Sequence, residues 1–159
     1  MKLVIASDHA GFPLKEEIRA HLAQCGHEVV DLGAYNTEPS DYPDFAEKAG
    51  LAVKRGDAPR GIVICGSGVG ACIAANKMPG IRAGICHDTY SAHQGVEHDD
   101  MNVLTLGSRI IGSALAFEVV DAFVRAEFVI KEERFVRRFK KVLAIEARYM
   151  CGDGSTNPA

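Results

Sequence analysis

The chain contains no tryptophan, and phenylalanine and tyrosine are scarce, so aromatic residues make up only 7% of its 159 positions. It also lacks any uninterrupted apolar run close to the roughly 20 residues that a helix needs to cross a bilayer. The hydrophobic stretch near the N-terminus stops at Asp8 and His9, too early for the core of a secretory signal peptide. These absences predict a soluble, cytoplasmic protein that does not act at a membrane.

Cysteine is present, but its arrangement excludes two of its common uses. The five cysteines are odd in number, and no two of them form a C-x-x-C pair. A disulfide framework and a thiolate zinc site are therefore both disfavoured, and free thiols are expected. A chain of this length buries enough surface on folding to be stable without either device.

An excess of positive charge is also missing. Charged residues make up 25% of the chain, and its formal net charge is -3. A general nucleic-acid binder would present a broad positive surface, so this class of protein is disfavoured. Only residues 131–141 are locally basic.

Short apolar runs rich in β-branched residues alternate with longer segments of helical period. This alternation is typical of a parallel sheet covered by helices. The predicted strands span residues 2–7, 28–33, 61–65, 81–86 and 102–107. In these strands the residues that point to either face of the sheet are apolar, so both faces are expected to be buried. The sequence therefore predicts a doubly wound, Rossmann-like α/β fold with five parallel strands and helices on both sides.

A last helix is predicted over residues 131–147, with one cationic face. Its other face carries an apolar stripe, formed by Phe135, Phe139, Val142 and Ile145. The segment that follows is small, polar and rich in turn formers, which favours disorder. We therefore predict one domain over residues 1–150 and a disordered tail over 151–159.

A glycine-rich loop follows the third predicted strand. Gly66, Gly68 and Ala71 match the pattern G-x-G-x-x-[GA], and Asp88 lies about 20 residues further on, as in a dinucleotide-binding fingerprint. The same glycines are equally expected in a tight turn between a strand and a helix. A nicotinamide cofactor is disfavoured, because the loop follows the third strand and one small domain leaves little room for a substrate half.

Cys65 and Ser67 give this loop a chemistry that the fingerprint does not explain. Glycines leave backbone N–H groups unobstructed, and the helix beyond adds partial positive charge, so an anion is stabilised there. The same field favours the thiolate of Cys65. The loop is thus interpreted as a base beside an oxyanion hole. The alternative for Cys65 is a buried core cysteine, the role assigned to Cys72 and Cys86.

Two polar clusters lie near the ends of predicted strands. Asp8 and His9 follow the first strand. Asp8 is expected to cap the first helix, to contribute to a site, or to do both. His98 and Asp99 precede the fifth strand. Because the third nitrogen or sulfur ligand of a zinc site is missing nearby, His98 is interpreted as an acid or base.

Three arginines offer positive charge near these clusters. Arg134 and Arg138 are four residues apart and share one helix face, which suits a phosphate dianion, although a solvated basic face is the more common outcome. Arg109 directly follows the glycine that closes the fifth strand. Together with a histidine, the arginines favour a small phosphorylated ligand over a nucleic-acid duplex.

These segments resemble the type B ribose-5-phosphate isomerases, a family that includes galactose-6-phosphate isomerase subunits. The resemblance extends from the first strand to about residue 148. Its carriers are "SDHAG" (7–11), "DYPDFA" (41–46), the segment 61–83, "EHDDMNVLTLGSR" (97–109) and the late arginine pair.

The resemblance implies an aldose–ketose isomerase of the pentose phosphate pathway, which interconverts ribose 5-phosphate and ribulose 5-phosphate without a metal or organic cofactor. Cys65 would move a proton between C1 and C2 of the open-chain sugar, while Ser67 would bond the reacting oxygens. Main-chain N–H groups would hold the cis-enediolate. They belong to Gly66, Gly68, Val69 and Gly70.

The resemblance also implies ring opening by His98 aided by Asp8, and contact of the sugar with Tyr42 and Asp99. The implied phosphate site consists of His9, Arg109, Arg134 and Arg138. The implied assembly is a homodimer whose active sites contain residues from both subunits, with a dimer of dimers as a further option.

Three residues depart from the usual pattern of that family. Ser67 stands where many members have threonine, Asp99 where asparagine is usual, and Phe135 where histidine is frequent. A carboxylate at position 99 cannot donate a hydrogen bond as an amide does. The identity of the sugar substrate is therefore left undecided by the resemblance. A six-carbon phosphate, such as allose or galactose 6-phosphate, is the second hypothesis. A non-catalytic nucleotide- or phosphosugar-binding module is the third.

Overall fold

Strands and helices alternate along the chain in the computed structural model, which describes residues 1–150. The strands are β1 (Lys2–Ser7), β2 (Glu28–Asp31), β3 (Arg60–Cys65), β4 (Ala83–Ile85) and β5 (Val103–Gly107). The helices are α1 (Phe12–Gln24), α2 (Tyr42–Arg55), α3 (Val69–Ala75), α4 (Thr89–Asp99), α5 (Ser113–Arg125) and α6 (Glu133–Tyr149). The predicted disordered tail lies outside the described residues. Within residues 1–150, none of the helices has the length and apolar character of a membrane span.

The five strands form one parallel sheet in the order β2-β1-β3-β5-β4. The chain adds β2 on one side of β1 and then crosses to the other side to form β3. The strand order therefore reverses between β1 and β3. In open α/β sheets, ligands bind at such a reversal, outside the carboxyl ends of the strands.

The two faces of the sheet are covered by different helices, as predicted from the apolar strands. Successive side chains of a strand point to opposite faces. In β3, Ile62 and Ile64 pack in the layer that contains α1, α4 and α5. Val63 and Cys65 pack in the layer that contains α2 and α3. The alternation thus decides that Cys65 ends β3 on the α2–α3 side.

The second and fourth strands are shorter than predicted. After β2 the chain turns at Gly33, whose φ of +95° is a left-handed conformation that ends the strand. Before β4, the Ile81 N–H donates to the Met78 carbonyl at 3.1 Å and the Arg82 N–H donates to Asn102 Oδ1 at 2.8 Å. These bonds use the N–H groups of residues 81 and 82, so the pairing of β4 with β5 begins only at Ala83.

The last helix packs partly on its own chain. Phe135 is 3% exposed, and Phe139 lies against Phe128 with ring centroids 5.3 Å apart. Further along α6, Val142 and Ile145 are 46% and 51% exposed. The predicted apolar stripe is therefore buried at its N-terminal half and open at its C-terminal half.

A buried lysine ties α1 to the end of β2. The Lys15 side chain is fully buried, and its Nζ donates to Asp31 Oδ1 at 2.7 Å and Oδ2 at 2.6 Å. The same ammonium donates to the Ala34 carbonyl at 2.8 Å. Paired and hydrogen-bonded in this way, the cation is compensated in the interior.

Candidate active site

A cleft of about 310 Å³ lies at the reversal of strand order, beside the carboxyl ends of β1 and β3. Its lining combines residues from four separate stretches of the sequence. It is formed by Asp8, Tyr42, Cys65, Gly66, Ser67, Gly70, Arg109 and Ile110. All but Ile110 are residues that the sequence analysis proposes for a site, so the fold brings together half of that proposed set.

Cys65 is the thiol that lines this cleft. It is only 4% exposed, yet it lines the cleft, and its Sγ accepts a hydrogen bond from the Gly68 N–H at 3.1 Å. The sulfur thus has a polar partner in the glycine loop as well as an opening to the cleft. Cys65 is therefore buried without being an inert core cysteine.

Cys86 provides the contrast within the same sheet. Burial, with smaller contributions from Asp88 and Cys72, raises the pKa of the Cys86 thiol to about 11. This thiol stays protonated at neutral pH and has no role as a base. The assignment of Cys86 to the core is confirmed.

The backbone at Gly68 requires glycine. Its φ is +82°, and a Cβ at this position would lie 2.9 Å from the Leu106 carbonyl carbon. Only a residue without a side chain can take this conformation so close to β5, and that conformation points the Gly68 N–H at Cys65. Ser67 is exposed beside it, and its Oγ accepts from the Val69 N–H at 3.3 Å.

Tyr42 forms one wall of the cleft because Gly70 leaves room for its ring. Tyr42 is the first residue of α2. A Cβ on Gly70 would lie 2.6 Å from Tyr42 Cζ, well inside van der Waals contact. The third glycine of the loop thus leaves room for an aromatic side chain at the wall of the cleft.

The end of β5 is bonded to the glycine loop. The Ser108 N–H donates to the Cys65 carbonyl at 2.9 Å, and the Arg109 N–H donates to the Gly66 carbonyl at 3.0 Å. The Arg109 side chain packs against Gly66 and lines the cleft. A cation is thereby fixed beside the thiol, where it can attract an anionic ligand.

The prediction that Asp8 caps the first helix is wrong, and its role in a site stays a prediction. Asp8 lines the cleft, and its Oδ1 accepts from the Gly11 N–H at 2.9 Å. That bond closes the turn before α1, while the helix itself begins at Phe12 without a side-chain cap. His9 follows and is not among the residues that line the cleft. Its N–H donates to Ser40 Oγ at 3.0 Å, and its Nδ1 lies 3.1 Å from the Ser40 backbone.

Four predicted site residues lie apart from the cleft of their own chain. They are His98, Asp99, Arg134 and Arg138. The His98 ring stacks on Phe135, with centroids 3.8 Å apart, and its Nδ1 is 2.8 Å from Gln94 Nε2. The Arg134 guanidinium lies over the same Phe135 ring at 4.7 Å. Phe135 thus joins His98 and Arg134 into one group on α4 and α6, while Asp99 and Arg138 are exposed nearby along the same helices.

His87 is a residue of the site region to which sequence reasoning gives no role. Its Nε2 accepts from the Gly107 N–H at 2.9 Å, so this nitrogen is unprotonated. Burial lowers the pKa of His87, against a smaller opposing effect of the neighbouring Asp88 charge. The neutral ring supports the end of β5 that carries Arg109. In the sequence, only the position of His87 just after the fourth strand indicates that it lies near the site.

The lowered pKa of His87 predicts a pH dependence of stability. The unfolded chain binds this proton at about pH 6.5, its ordinary value, and the folded chain binds it only at lower pH. The free energy of unfolding should therefore fall as the pH decreases through about 6.5, until the folded pKa is passed. His87→Gln keeps an acceptor for Gly107 and does not titrate, so its stability should fall less over this range.

Urea denaturation of both proteins at a series of acid pH values measures the effect. His93→Gln is the matched control, since it removes an exposed histidine from the neighbouring α4. It leaves the His87–Gly107 contact intact, so the part of the pH dependence that His87→Gln removes should remain. If the free energy of unfolding changed equally with pH in the wild type and in His87→Gln, the lowered pKa of His87 would be contradicted.

Comparisons with known proteins show the family of the chain. A family model described as Ribose/Galactose Isomerase matches residues 3–142. The chain belongs to the ribose/galactose isomerase family. The family resemblance and the doubly wound fold are both confirmed, and a family of enzymes is favoured over a non-catalytic binding module.

Relatives in this family cover nearly the whole chain. Ribose-5-phosphate isomerase B of Escherichia coli K12 is 46% identical over 147 residues, which are 92% of this chain and 97% of that protein. The solved structure of ribose-5-phosphate isomerase B from Clostridium thermocellum is 48% identical with a TM-score of 0.90, over 94% of this chain and 99% of that one. The D-erythrulose-4-phosphate isomerase of Pectobacterium atrosepticum is 42% identical over 132 residues, 80% of this chain and 85% of that protein.

Proposed function

We propose that the protein is an aldose–ketose isomerase that interconverts ribose 5-phosphate and ribulose 5-phosphate, with Cys65 as the base. One observation carries the proposal: the Cys65 sulfur lines a cleft at the reversal of strand order and accepts a hydrogen bond from the glycine loop. Two relatives that each cover more than nine-tenths of the chain bear the name ribose-5-phosphate isomerase B. The reaction uses side chains and backbone groups alone.

The chemical step is the transfer of one proton between adjacent carbons. The Cys65 thiolate takes the proton from C2 of the open-chain aldose, and the C1 carbonyl oxygen becomes the oxyanion of a cis-enediolate. That oxygen gains a proton as the O2 hydroxyl loses one. The Cys65 thiol then returns its proton to C1, which leaves the ketone at C2 and regenerates the thiolate.

The glycine loop and Ser67 stabilise the charge that develops on the two oxygens. Fixed N–H donors at an incipient oxyanion contribute on the order of 3–4 kcal/mol each. The candidate donors are the N–H groups of Gly66, Gly68, Val69 and Gly70. The Ser67 hydroxyl is exposed into the cleft and is able to exchange a proton between the two oxygens.

Substrate binding requires groups at both ends of the sugar. Asp8 and Tyr42 line the cleft beside the sugar, and Arg109 supplies a cation for the phosphate. His9 is held by Ser40 at the same edge of the sheet. An imidazole placed in this way donates to a phosphate oxygen through Nε2.

The remaining groups reach the cleft in a homodimer. His98, Asp99, Arg134 and Arg138 lie on α4 and α6 of the same chain, apart from the cleft. We infer that a second copy supplies them: His98 opens the sugar ring with Asp8, Asp99 contacts the sugar, and the two arginines complete the phosphate site. The exposed Val142 and Ile145 on α6, with Ile73 on α3, offer apolar surface for such an interface.

A coupled assay on the purified protein tests the proposed activity. Ribulose 5-phosphate should form from ribose 5-phosphate in buffer treated with a chelator. The same assay then measures kcat/KM for a panel of four-, five- and six-carbon aldose phosphates, and these values are compared. The five-carbon sugar should lead, and the four-carbon sugar is included because the Pectobacterium relative is named for such a substrate.

Two results would contradict this assignment in different ways. A higher kcat/KM for allose 6-phosphate or galactose 6-phosphate would retain the chemistry and replace the substrate. Absence of turnover with every sugar, together with binding of NAD in calorimetry, would replace the enzyme by a nucleotide-binding module.

A further inference from the structure

A second cluster of reactive side chains lies away from the cleft, between α1 and α5. His21 and Cys25 are separated by one helical turn at the end of α1, and Asp121 lies on α5. His21 Nε2 is 2.9 Å from Asp121 Oδ1 and 3.8 Å from Cys25 Sγ. All three donor atoms lie within 4.8 Å of one another. Nothing in the proposed isomerase reaction uses them.

We propose that His21, Cys25 and Asp121 form a binding site for a divalent cation of the zinc class, which links α1 to α5. Zinc takes one imidazole nitrogen, one thiolate and one carboxylate oxygen at bond lengths of about 2.0–2.3 Å, so donors in a tetrahedral site stand about 3.5 Å apart. The present separations need only small side-chain rotations to reach this arrangement. Water completes the coordination.

The neighbouring residues already orient two of the three ligands. The His21 ring lies parallel to Phe117, with an angle of 5° between the planes and centroids 4.5 Å apart, so its rotation is restricted. Arg125 Nη2 donates to Asp121 Oδ2 at 2.9 Å, which leaves Oδ1 to face the cluster. Such supporting contacts on ligands are typical of metal sites.

The donor set selects the class of ion. A thiolate excludes Mg²⁺ and Ca²⁺, which prefer oxygen ligands, and a mixed sulfur, nitrogen and oxygen set suits Zn²⁺ or Co²⁺. Cys25 is exposed and the other two side chains are each 22% exposed, so an ion can enter from solvent. The sequence spacing gives no sign of this site, since His21 and Asp121 are 100 positions apart.

The location indicates a structural role. The end of α1 leads directly into β2, so the cluster lies at the edge of the sheet where the strands begin. Cys65 lies at the other edge, where the strands end. An ion in the cluster would join two helices that pack on the same face of the sheet. It should stabilise the folded chain through binding and take no part in proton transfer.

Titration of the chelator-treated protein with Co²⁺ tests the proposal without reference to isomerase activity. We expect one ion per chain, the visible bands of a tetrahedral Co²⁺ site and a near-ultraviolet band from sulfur-to-cobalt charge transfer. Cys25→Ser should abolish the charge-transfer band and weaken binding by about tenfold or more, since loss even of a contact outside the ligand set costs 10–100-fold. Zn²⁺ should displace Co²⁺ and raise the Tm of the wild type but not that of Cys25→Ser.

Cys72→Ser is the matched control, because it removes a thiol from α3 and leaves the cluster intact. It should bind Co²⁺ like the wild type. The Tm of each variant without metal checks that it is folded. A missing charge-transfer band in the wild type, or a band that survives in Cys25→Ser, would overturn the proposal.

Discussion

Cys65→Ser should lower kcat for aldose–ketose interconversion by about 10²–10⁴-fold, the usual contribution of a positioned general base. The serine hydroxyl fits the space of the thiol and can accept from the Gly68 N–H. Its pKa is far above that of a thiol, so it cannot supply an anionic base at neutral pH. Binding of ribose 5-phosphate, measured by calorimetry, should persist because the phosphate contacts are unchanged.

Cys72→Ser is the control for the loss of a thiol, because it removes the cysteine of α3, the helix that follows the glycine loop. Its Sγ donates to the Ala83 carbonyl at 3.4 Å, a contact that a hydroxyl can replace. We expect it to retain near-normal kcat. Near-normal turnover by Cys65→Ser itself would remove this residue from the role of base and leave the family assignment in place.

Mixing two inactive variants should restore activity if each cleft is completed by a second copy. Cys65→Ser and His98→Asn would each be inactive alone. In a heterodimer of the two, one cleft combines both substitutions and the other has neither. Random re-association gives heterodimers in about half of the molecules, each with one intact site, so activity should approach about a quarter of the wild-type value.

The matched control for this experiment is a pair of substitutions within one cleft. Cys65→Ser mixed with Asp8→Asn places both changes in residues that line the cleft of the same chain. Every heterodimer should then contain a defect in each of its two clefts, and the mixture should stay inactive. Equal recovery in both mixtures, or recovery in neither, would argue against a shared site.

The sequence predicts the fold well because each signal is local. The alternation of apolar runs and helical periods depends on neighbours a few residues apart, and so do the strand β3 and the loop after it. The position of Cys65 at a strand end follows from the same local pattern. The predicted length of β2 is wrong because the chain turns at Gly33. The predicted start of β4 is wrong because Asn102, a residue far along the chain, bonds the Arg82 N–H.

The arrangement of the candidate site is only half predictable in this way. The order of strands brings Asp8 beside Cys65, and local pattern does not give that order. The separation of His98 from the cleft depends on the packing of α4 against α6 through Phe135. The cluster of His21 with Asp121 depends on the packing of α1 against α5. Contacts between elements so far apart in the sequence need coordinates to be found.

The buried ammonium of Lys15 has a consequence for how the cleft acquires its shape. A charge enters a protein interior only together with its counter-charge, since a lone buried partner costs about 3–5 kcal/mol. Helix α1 and the segment after β2 must therefore dock in a single cooperative event. That segment leads to Ser40, which bonds both the His9 N–H and the His9 ring, so the position of this imidazole depends on the docking of α1 against the end of β2.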